Sequence, residues 1–276
     1  MIGRKNKGFV EYDILVTSDW HVGNEDALIG DGWITHADDP EKSRSIEPNK
    51  VQNALNDKFH EMAEGRYHAA FFLGDMSEGS SIKSRGFELW QSSIDEQIRC
   101  AIALARLLKI KKAYSVDGSP YHINENPSYD LLFAEGLNRH IPTKFGTDLD
   151  VHLPACDLTF HLCHAIGVSS SQVSKATAPM AEIASAAQHD KFFGKKDLII
   201  RGHRHEFLNL KTKDGHCICC PCFKGRDSYQ KRRGLRFGPP VCGWIVLHVR
   251  GNKVTVDDDN WFVLKGTQLT QRVTLE

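Results

Sequence analysis

Short apolar runs that each end in a turn carrying Asp or His constrain the fold of this chain more than any other feature of its sequence. These turns hold Asp19 and His21, Asp75, Gly118 to His122, His164, and the pair His203 and His205. Binding residues in layered α/β folds gather in the loops beyond the carboxyl ends of strands. The five loops are therefore expected to converge on one cleft.

The order of predicted strands and helices indicates the fold class. Strands and helices alternate through the first half of the chain, and the last part is mostly strand. Apolar spacing predicts helices at roughly 49–64 and 87–109. A third helix is expected to start with Asn126 as N-cap and Pro127 at its first position, and a fourth follows Pro179. The apolar face of the fourth is predicted to comprise Met180, Ile183, Ala184 and Ala187. This order favours an α/β fold, an α/β/β/α sandwich of two mixed sheets flanked by helices.

Composition and charge are those of a soluble globular protein. The 276 residues are 41% hydrophobic and 25% charged, with a formal net charge of +0, so no global field favours nucleic acid or a membrane. The basic N-terminus lacks the apolar segment of a secretory signal, and no apolar run reaches the roughly 18 residues of a membrane span. We expect a cytoplasmic protein that forms a single domain over residues 1–276, with a long loop at about 24–48 that acts as a lid or an interface.

Four of the eight cysteines lie in the stretch HCICCPCF, residues 216–223. A zinc site is one interpretation, but structural zinc takes ligand pairs from separate elements. The apolar neighbours instead predict a strand, in which Cys217 and Cys219 face one way and Cys220 and Cys222 the other. We expect buried, reduced thiols. A cysteine-rich zinc module that binds nucleic acid stays open as an alternative.

The residue types at the strand ends suit a pair of metal ions. Carboxylates and neutral imidazoles bind zinc, manganese and iron, whereas magnesium prefers oxygen ligands. One shared carboxylate can bridge two ions about 3.5–4 Å apart, the spacing of hydrolytic two-metal sites. Each motif alone is weak, because a Gly-Asp is more often a turn and a His-x-His more often a surface pair. Their order along the chain carries the information.

That order resembles the calcineurin-like metallophosphoesterases, whose motifs stand here as DWH, GD, GSPYH, HAIG and GHRH, between about residues 12 and 250. The resemblance implies a metal-dependent phosphoric ester hydrolase with two divalent ions, in which a metal-bound hydroxide attacks phosphorus. Manganese is the favoured ion, with zinc, iron, nickel and magnesium as alternatives. The implied ligands of the first ion are Asp19, His21, Asp75 and His205. Those of the second are Asp75, His164 and His203.

One position departs from the family pattern. The usual G-N-H loop supplies an asparagine ligand and a catalytic histidine, but here Gly118 is followed by Ser119, and the first histidine is His122. Some phage-type members have a similar loop. The resemblance therefore implies Ser119 as a weaker second-site ligand and His122 as the catalytic residue that protonates the leaving oxygen or holds a phosphate oxygen. His161 lies an odd number of residues before His164, so in a regular strand it is expected to face away from the site.

The basic segment 224–236 bears on the substrate. It holds six Lys or Arg residues against the single acid Asp227, and it is either a solvated loop or a surface that contacts phosphates. Arg226, Arg232 and Arg233 are the expected substrate-binding residues. We expect a phosphodiesterase acting on DNA or RNA. The alternatives are a phosphomonoesterase or cyclic-nucleotide phosphodiesterase acting on a small molecule, or a non-catalytic binding module of the same fold.

Overall fold

The computed structural model describes residues 11–35, 41, 43–80, 86–120, 122, 127–168, 174–226 and 239–264. Its strands are Glu11–Thr17 (β1), Ile34–Thr35 (β2), Arg44–Ser45 (β3), Arg66–Tyr67 (β4), Ala69–Phe72 (β5), Lys109–Ile110 (β6), Ala113–Val116 (β7), Thr143–Gly146 (β8), Asp148–Leu153 (β9), Leu158–Cys163 (β10), Leu198–Arg201 (β11), Leu208–Lys211 (β12), His216–Cys219 (β13), Val241–Gly243 (β14), Ile245–Arg250 (β15), Lys253–Asp257 (β16) and Trp261–Val263 (β17). Its helices are Lys50–Glu64 (α1), Ile94–Leu107 (α2), Tyr129–Asn138 (α3), Thr177–Gln188 (α4) and Asp190–Phe193 (α5).

Two mixed sheets form the centre of the fold. The six-stranded sheet has the order β16-β15-β1-β5-β7-β8, and the five-stranded sheet has the order β12-β13-β11-β10-β9. In the first sheet β1 pairs with β5 in parallel and with β15 antiparallel. In the second, β10 pairs with β11 in parallel and with β9 antiparallel.

The apolar side chains form layers on both faces of the first sheet. Ile14 and Val16 of β1 pack against Phe160 and Leu162 of β10, between the sheets. Leu15 of β1 lies on the opposite face with residues of α1, α2 and α3. The alternation of side chains along β1 explains this split, because both faces of the strand are covered. On the far side of the second sheet, α4 contributes a buried isoleucine. The predicted α/β/β/α sandwich is confirmed.

Side-chain caps mark the starts of α1 and α3, and two helix starts differ from the sequence prediction. Helix α1 begins at Lys50, close to the predicted residue 49, behind a capping box of Asn49 and Gln52 that the apolar spacing did not predict. The predicted cap at Asn126, which lies outside the described residues, is wrong: Ser128 caps α3, and its Oγ accepts from the N–H of Leu131 at 3.0 Å. Helix α2 begins at Ile94, later than the predicted start near residue 87. The residues before Ile94 form a turn and do not extend the apolar face of the helix.

Helix α4 buries a narrower face than predicted. Ile183 and Pro179 are buried, whereas Met180 is 51% exposed. The helix begins at Thr177, so Pro179 lies in its first turn, where its missing N–H costs no intrahelical hydrogen bond. Only a narrow face of α4 packs against the second sheet, so the sequence pattern predicted a wider buried face than the helix has.

The cysteine stretch follows the strand prediction only in part. Cys217 and Cys219 belong to β13 and face α4 together. Cys220 packs between the sheets, but Cys222 lies in the cluster on the helical side of the first sheet. Strand β13 ends before Pro221, so the alternation does not continue. Among the described residues, no group of three or more candidate metal ligands includes a cysteine.

The first part of the predicted 24–48 loop is built into the core. Leu28 and Ile29 are fully buried, and the N–H of Leu28 donates to the carbonyl of Phe223 at 3.2 Å. The pair β2 and β3 follows, and residues 36–40 and 42 lie outside the described part of the chain. A lid or interface role stays a prediction. None of the described helices is both long enough and apolar enough to span a bilayer.

Candidate metal centre

The predicted ligands share an uncommon backbone conformation. Six described residues other than glycine have positive φ, and five of them are predicted ligands: Asp19, His21, Asp75, His203 and His205. Residues other than glycine rarely adopt this left-handed region, and such strain collects at functional sites. Each of these residues sits in a turn beyond a strand end. The turns, rather than strand alternation, therefore direct His203 and His205 into the cleft.

The first cluster joins three side chains from two segments that are far apart in the sequence: Asp19 and His21 from the loop after β1, and His205 from the loop after β11. Oδ1 of Asp19 lies 3.2 Å from Nε2 of His205 and 3.6 Å from Nε2 of His21. The two Nε2 atoms are 3.2 Å apart. Oδ1 of Asp19 is buried without a hydrogen-bond partner among the described residues. One carboxylate oxygen and two imidazole nitrogens therefore lie close together. A bound cation would satisfy all three atoms at once.

The second cluster has the same character. Oδ2 of Asp75 lies 3.1 Å from Nε2 of His164, which is 3.2 Å from Nδ1 of His203. Nδ1 of His164 is 2.6 Å from the carbonyl of Leu73, to which it donates. This hydrogen bond leaves Nε2 of His164 as the nitrogen that faces the cluster, as in imidazole ligands held by a backbone carbonyl.

Asp75 connects the two clusters. Its Oδ2 lies 3.9 Å from Nε2 of His21, in addition to its contact with His164. Oδ2 of Asp19 accepts from the N–H of His203 at 3.0 Å, which ties the clusters through the backbone as well. The arrangement places a carboxylate between two groups of ligand atoms. This is the position that a bridging ligand occupies in two-metal sites.

The electrostatics of the clusters favour bound positive charge. Burial raises the pKa of both Asp19 and Asp75, but the charge of His164 and the other imidazoles outweighs burial and holds these pKa values well below their ordinary range. Burial lowers the pKa of His164, but Asp75 and Asp19 outweigh it and raise that pKa to about 10. Two buried carboxylates therefore stay ionised and attract cations. The donor set fits divalent metal ions.

Asp130 holds two of the site loops together. Its Oδ2 accepts from the N–H groups of Asp75 at 3.0 Å and Gly118 at 2.9 Å, and its Oδ1 accepts from Met76 at 3.0 Å. Burial, together with the charge of Asp75, raises the pKa of Asp130 to about 7. Sequence reasoning missed this residue, since nothing in its motif marks it. Its place in the first turn of α3, after the Ser128 cap, was the available signal.

Gly118 and Ser119 lie against the Asp75 carboxylate. A Cβ at position 118 would come 2.0 Å from Oδ1 of Asp75, so only glycine fits there. The N–H of Ser119 donates to that oxygen at 2.8 Å, and its Oγ donates to Oδ2 at 3.0 Å. Ser119 is thus at the second cluster. Its role as a ligand stays a prediction.

His122 lies over the first cluster, and its nearest acidic side chain is one that sequence reasoning missed. Nδ1 of His122 donates to the carbonyl of Glu78 at 2.9 Å, and its ring lies 4.5 Å from that of His21, centroid to centroid. Oε2 of Glu78 lies 2.9 Å from Nδ1 of His21. The available signal for Glu78 was its position three residues after Asp75 in GDMSE.

Two residues that were predicted to belong to a basic surface are buried. Lys224 is 2% exposed and Arg226 is 3% exposed, so neither belongs to an exposed surface. Nζ of Lys224 instead contacts Oε2 of Glu78 at 2.9 Å. Arg232 and Arg233 lie outside the described residues, and their role in substrate binding stays a prediction. His161 contacts Asp150, with 3.0 Å between Nδ1 and Oδ1, and is in neither metal cluster.

Comparisons with known proteins find similarity only at the level of structure. No family model and no curated protein matches the sequence. A zinc complex of Vps29 from Entamoeba histolytica is 14% identical, with a TM-score of 0.45 over 88% of this chain and 89% of that chain. An archaeal phosphodiesterase is 12% identical, with a TM-score of 0.44 over 88% and 99%. A predicted phosphoesterase from Streptococcus pneumoniae is 12% identical, with a TM-score of 0.40 over 90% and 88%. At these identities and scores, the geometry of the site carries the functional assignment.

Proposed function

We propose that this chain is a calcineurin-like metallophosphoesterase that hydrolyses phosphodiesters of nucleic acid with two divalent metal ions. One observation carries the proposal: two clusters of carboxylate and imidazole atoms meet at Asp75, whose Oδ2 lies 3.1 Å from Nε2 of His164 and 3.9 Å from Nε2 of His21. Phosphoric ester hydrolysis is among the reactions that such paired clusters support.

The residues of the two clusters would hold one ion each. Asp19, His21 and His205 belong to the first, His164 and His203 belong to the second, and Asp75 is shared. Divalent ions bound there neutralise phosphate charge and lower the pKa of a bound water. Manganese is the favoured ion, and the nitrogen-rich donor set also suits zinc, iron or nickel better than magnesium.

His122 is positioned to act on a proton of the substrate. Its Nδ1 donates to the carbonyl of Glu78, so Nε2 is the nitrogen left for the cleft. Its side chain is 21% exposed, whereas His21 beneath it is 1% exposed. Burial lowers the pKa of His122, with the charge of Asp75 opposing. His122 therefore binds a phosphate oxygen or moves a proton at the leaving oxygen, and Glu78 fixes its orientation.

The choice of nucleic acid as substrate rests on sequence. Lys231, Arg232, Arg233 and Arg236 lie in a segment outside the described residues, and their density suits contact with phosphates. Lys224 and Arg226 are buried and add nothing to this argument. A phosphomonoesterase or cyclic-nucleotide phosphodiesterase is the alternative within the same chemistry.

The alternative to an enzyme is a non-catalytic binding module of the same fold. The complete set of cluster side chains favours an enzyme, because loss of activity relaxes the requirement for each of them. The buried Oδ1 of Asp19 also favours an enzyme. It has no hydrogen-bond partner among the described residues, which costs stability unless a bound ligand satisfies it.

The testing experiment is hydrolysis of bis(p-nitrophenyl) phosphate by chelator-stripped protein, with and without added manganese. Turnover that needs manganese and is lost in Asp75→Ala supports the proposal. His161→Ala is the matched control, since it removes a partly buried imidazole outside the clusters. Turnover of p-nitrophenyl phosphate alone selects the phosphomonoesterase. No turnover of either ester by metal-loaded protein selects the binding module.

A further inference from the structure

A buried serine lies behind the two clusters, next to the first predicted ligand. Ser18 follows the last residue of β1 and directly precedes Asp19, and both side chains are fully buried. Its Oγ lies 2.5 Å from Oδ2 of Asp19 and 3.3 Å from the carbonyl oxygen of Leu73. Neither side chain is exposed to bulk water, so the surrounding protein groups decide where this hydroxyl donates.

The hydroxyl of Ser18 has one proton and two acceptors within reach. The carboxylate of Asp19 is the nearer acceptor, and an ionised oxygen accepts more strongly than a neutral carbonyl. The carbonyl of Leu73 already accepts from Nδ1 of His164 at 2.6 Å. The proton of Ser18 is therefore donated to Oδ2 of Asp19.

Close packing holds the serine in this place. A Cβ at position 202 would come 2.3 Å from Oγ of Ser18 and 3.0 Å from Nδ1 of His164. Only glycine lets the backbone of the second ligand loop approach the hydroxyl so closely. Gly202, the glycine that precedes the last two predicted ligands, thus keeps the Ser18 hydroxyl against Asp19.

The two carboxylate oxygens of Asp19 have different surroundings. Oδ2 accepts from the hydroxyl of Ser18 and from the N–H of His203, the latter at 3.0 Å. Oδ1 has no hydrogen-bond partner among the described residues, and it lies 3.2 Å from Nε2 of His205. Two donors on one oxygen fix the rotation of the carboxylate. They leave the other oxygen as the one that faces the first cluster.

We infer that Ser18 is a positioning residue for the first metal ion: its hydroxyl holds Oδ2 of Asp19, so that the carboxylate binds the ion through Oδ1 alone. The inference rests on the proposed two-metal function. In this role Ser18 binds neither ion nor substrate, and it acts only through Asp19. Carboxylates that bind metals are themselves hydrogen-bonded, and loss of such a partner weakens metal binding.

A purely structural role for Ser18 predicts a different result. If the hydroxyl mainly connected the first ligand loop to the carbonyl of Leu73, its loss would also disturb His164, which donates to that carbonyl. The second site would then weaken as much as the first. Separate measurements of the two sites therefore distinguish the two roles.

The experiment measures the zinc affinity of each site by competition with a chromophoric chelator. His203→Ala removes a second-site ligand and leaves the first site to be titrated, and His205→Ala leaves the second site. Ser18→Ala is added to wild type and to each of these backgrounds. Ser115→Ala is the matched control, because Ser115 is a fully buried serine of the first sheet whose Oγ has no hydrogen-bond partner among the described residues.

Ser18→Ala is expected to weaken the first site by roughly 10- to 100-fold, as loss of an outer partner of a ligand does elsewhere. The second site should stay within about threefold of its affinity without the substitution. Cobalt bound at the first site gives an independent readout, because its visible absorption depends on the number and arrangement of its ligand atoms. Ser18→Ala should change this spectrum, since a carboxylate released at Oδ2 binds through both oxygens. Ser115→Ala should leave the spectrum as it is.

Three outcomes would count against the inference. If wild type binds zinc and Ser18→Ala stays within about threefold of Ser115→Ala at the first site, the inference is overturned and the proposed function stands. Equal weakening of both sites with an unchanged cobalt spectrum assigns Ser18 a structural role, which also overturns the inference and leaves the proposed function in place. If wild type binds no zinc, the proposed function fails and the inference with it.

Discussion

Nζ of Lys224 and Oε2 of Glu78 lie 2.9 Å apart in a part of the molecule where both side chains are almost fully buried. Removing one partner of a buried ion pair leaves the other charge poorly compensated, which typically costs about 3–5 kcal/mol. We therefore expect Glu78→Gln to lower the free energy of unfolding of the metal-free protein by about 3 kcal/mol in urea denaturation. Glu78→Gln combined with Lys224→Met should recover much of the loss.

A surface pair is the control for this effect. Oε2 of Glu61 lies 2.5 Å from Nζ of Lys58, and the Glu61 side chain is 59% exposed. Such pairs contribute about 0–1 kcal/mol. A Glu78→Gln effect no larger than that of Glu61→Gln would show that the Glu78–Lys224 contact does not stabilise the fold.

The same carboxylate predicts a pH dependence. Burial raises the pKa of Glu78, but the charges of Lys224 and His21 outweigh it and hold the pKa well below the ordinary value of 4.5. A group whose pKa is lower in the folded state contributes stability above its unfolded pKa and loses it as the pH falls. The stability difference between wild type and Glu78→Gln should therefore shrink as the pH falls from about 5.5 towards 3. Urea denaturation at intervals across this range measures it, and a constant difference would contradict the prediction.

The sequence was sufficient to find the side chains that converge in the two clusters, because each follows a strand end. Asp19, Asp75 and His205 are recognisable from an apolar run, a turn and an oxygen or nitrogen ligand. Positive φ in the turn directs His203 and His205 into the cleft, and no pattern in the sequence marks this conformation. Local sequence predicts where a chain turns more easily than how the turn is twisted.

The supporting residues could not be predicted in this way. Glu78 and Asp130 act through contacts with residues between 12 and 146 positions away in the chain. No spacing rule connects such partners, because the pairing of the two sheets and the path of the chain between them bring them together. The width of the buried face of α4 depended on tertiary packing in the same way.

Asp130 is expected to control the metal affinity of the Asp75 loop. Asn has one acceptor oxygen in place of two, so Asp130→Asn leaves at least one of the N–H donors of Asp75, Met76 and Gly118 without its partner. We expect a loss of zinc affinity of roughly 10-fold or more, measured by chelator competition. Asp95→Asn is the matched control, since Asp95 is likewise an acid in the first turn of a helix. Equal affinities in the two variants would remove Asp130 from the support of the site.

His122 should affect turnover more than metal content. It contacts the carbonyl of Glu78 and the ring of His21, and in the proposed site it binds no ion. His122→Ala is expected to lower kcat by about 100-fold or more for a diester with an alkoxide leaving group, the range typical of general acid catalysis. The effect on bis(p-nitrophenyl) phosphate should be smaller, because p-nitrophenolate leaves without being protonated. Metal content, measured by atomic emission, should stay near that of wild type. Loss of metal in this variant would make His122 a ligand.

The last prediction concerns the substrate and separates nucleic acid from small esters. If Arg232 and Arg233 contact phosphates, reversing both to Glu removes two contacts and should reduce the slope of log Kd against log salt by about 1.4 for single-stranded DNA. Oligonucleotide binding should weaken most at low salt, while hydrolysis of bis(p-nitrophenyl) phosphate stays unchanged because that ester is too small to reach a phosphate surface.

Lys211→Glu with Lys213→Glu is the control, since it makes the same change of charge at two exposed lysines at the end of β12. Fluorescence anisotropy of a labelled oligonucleotide measures both variants. Equal salt slopes would count against nucleic acid and leave a small phosphoric ester as the substrate, because the charge reversal would then act only through the overall field of the protein.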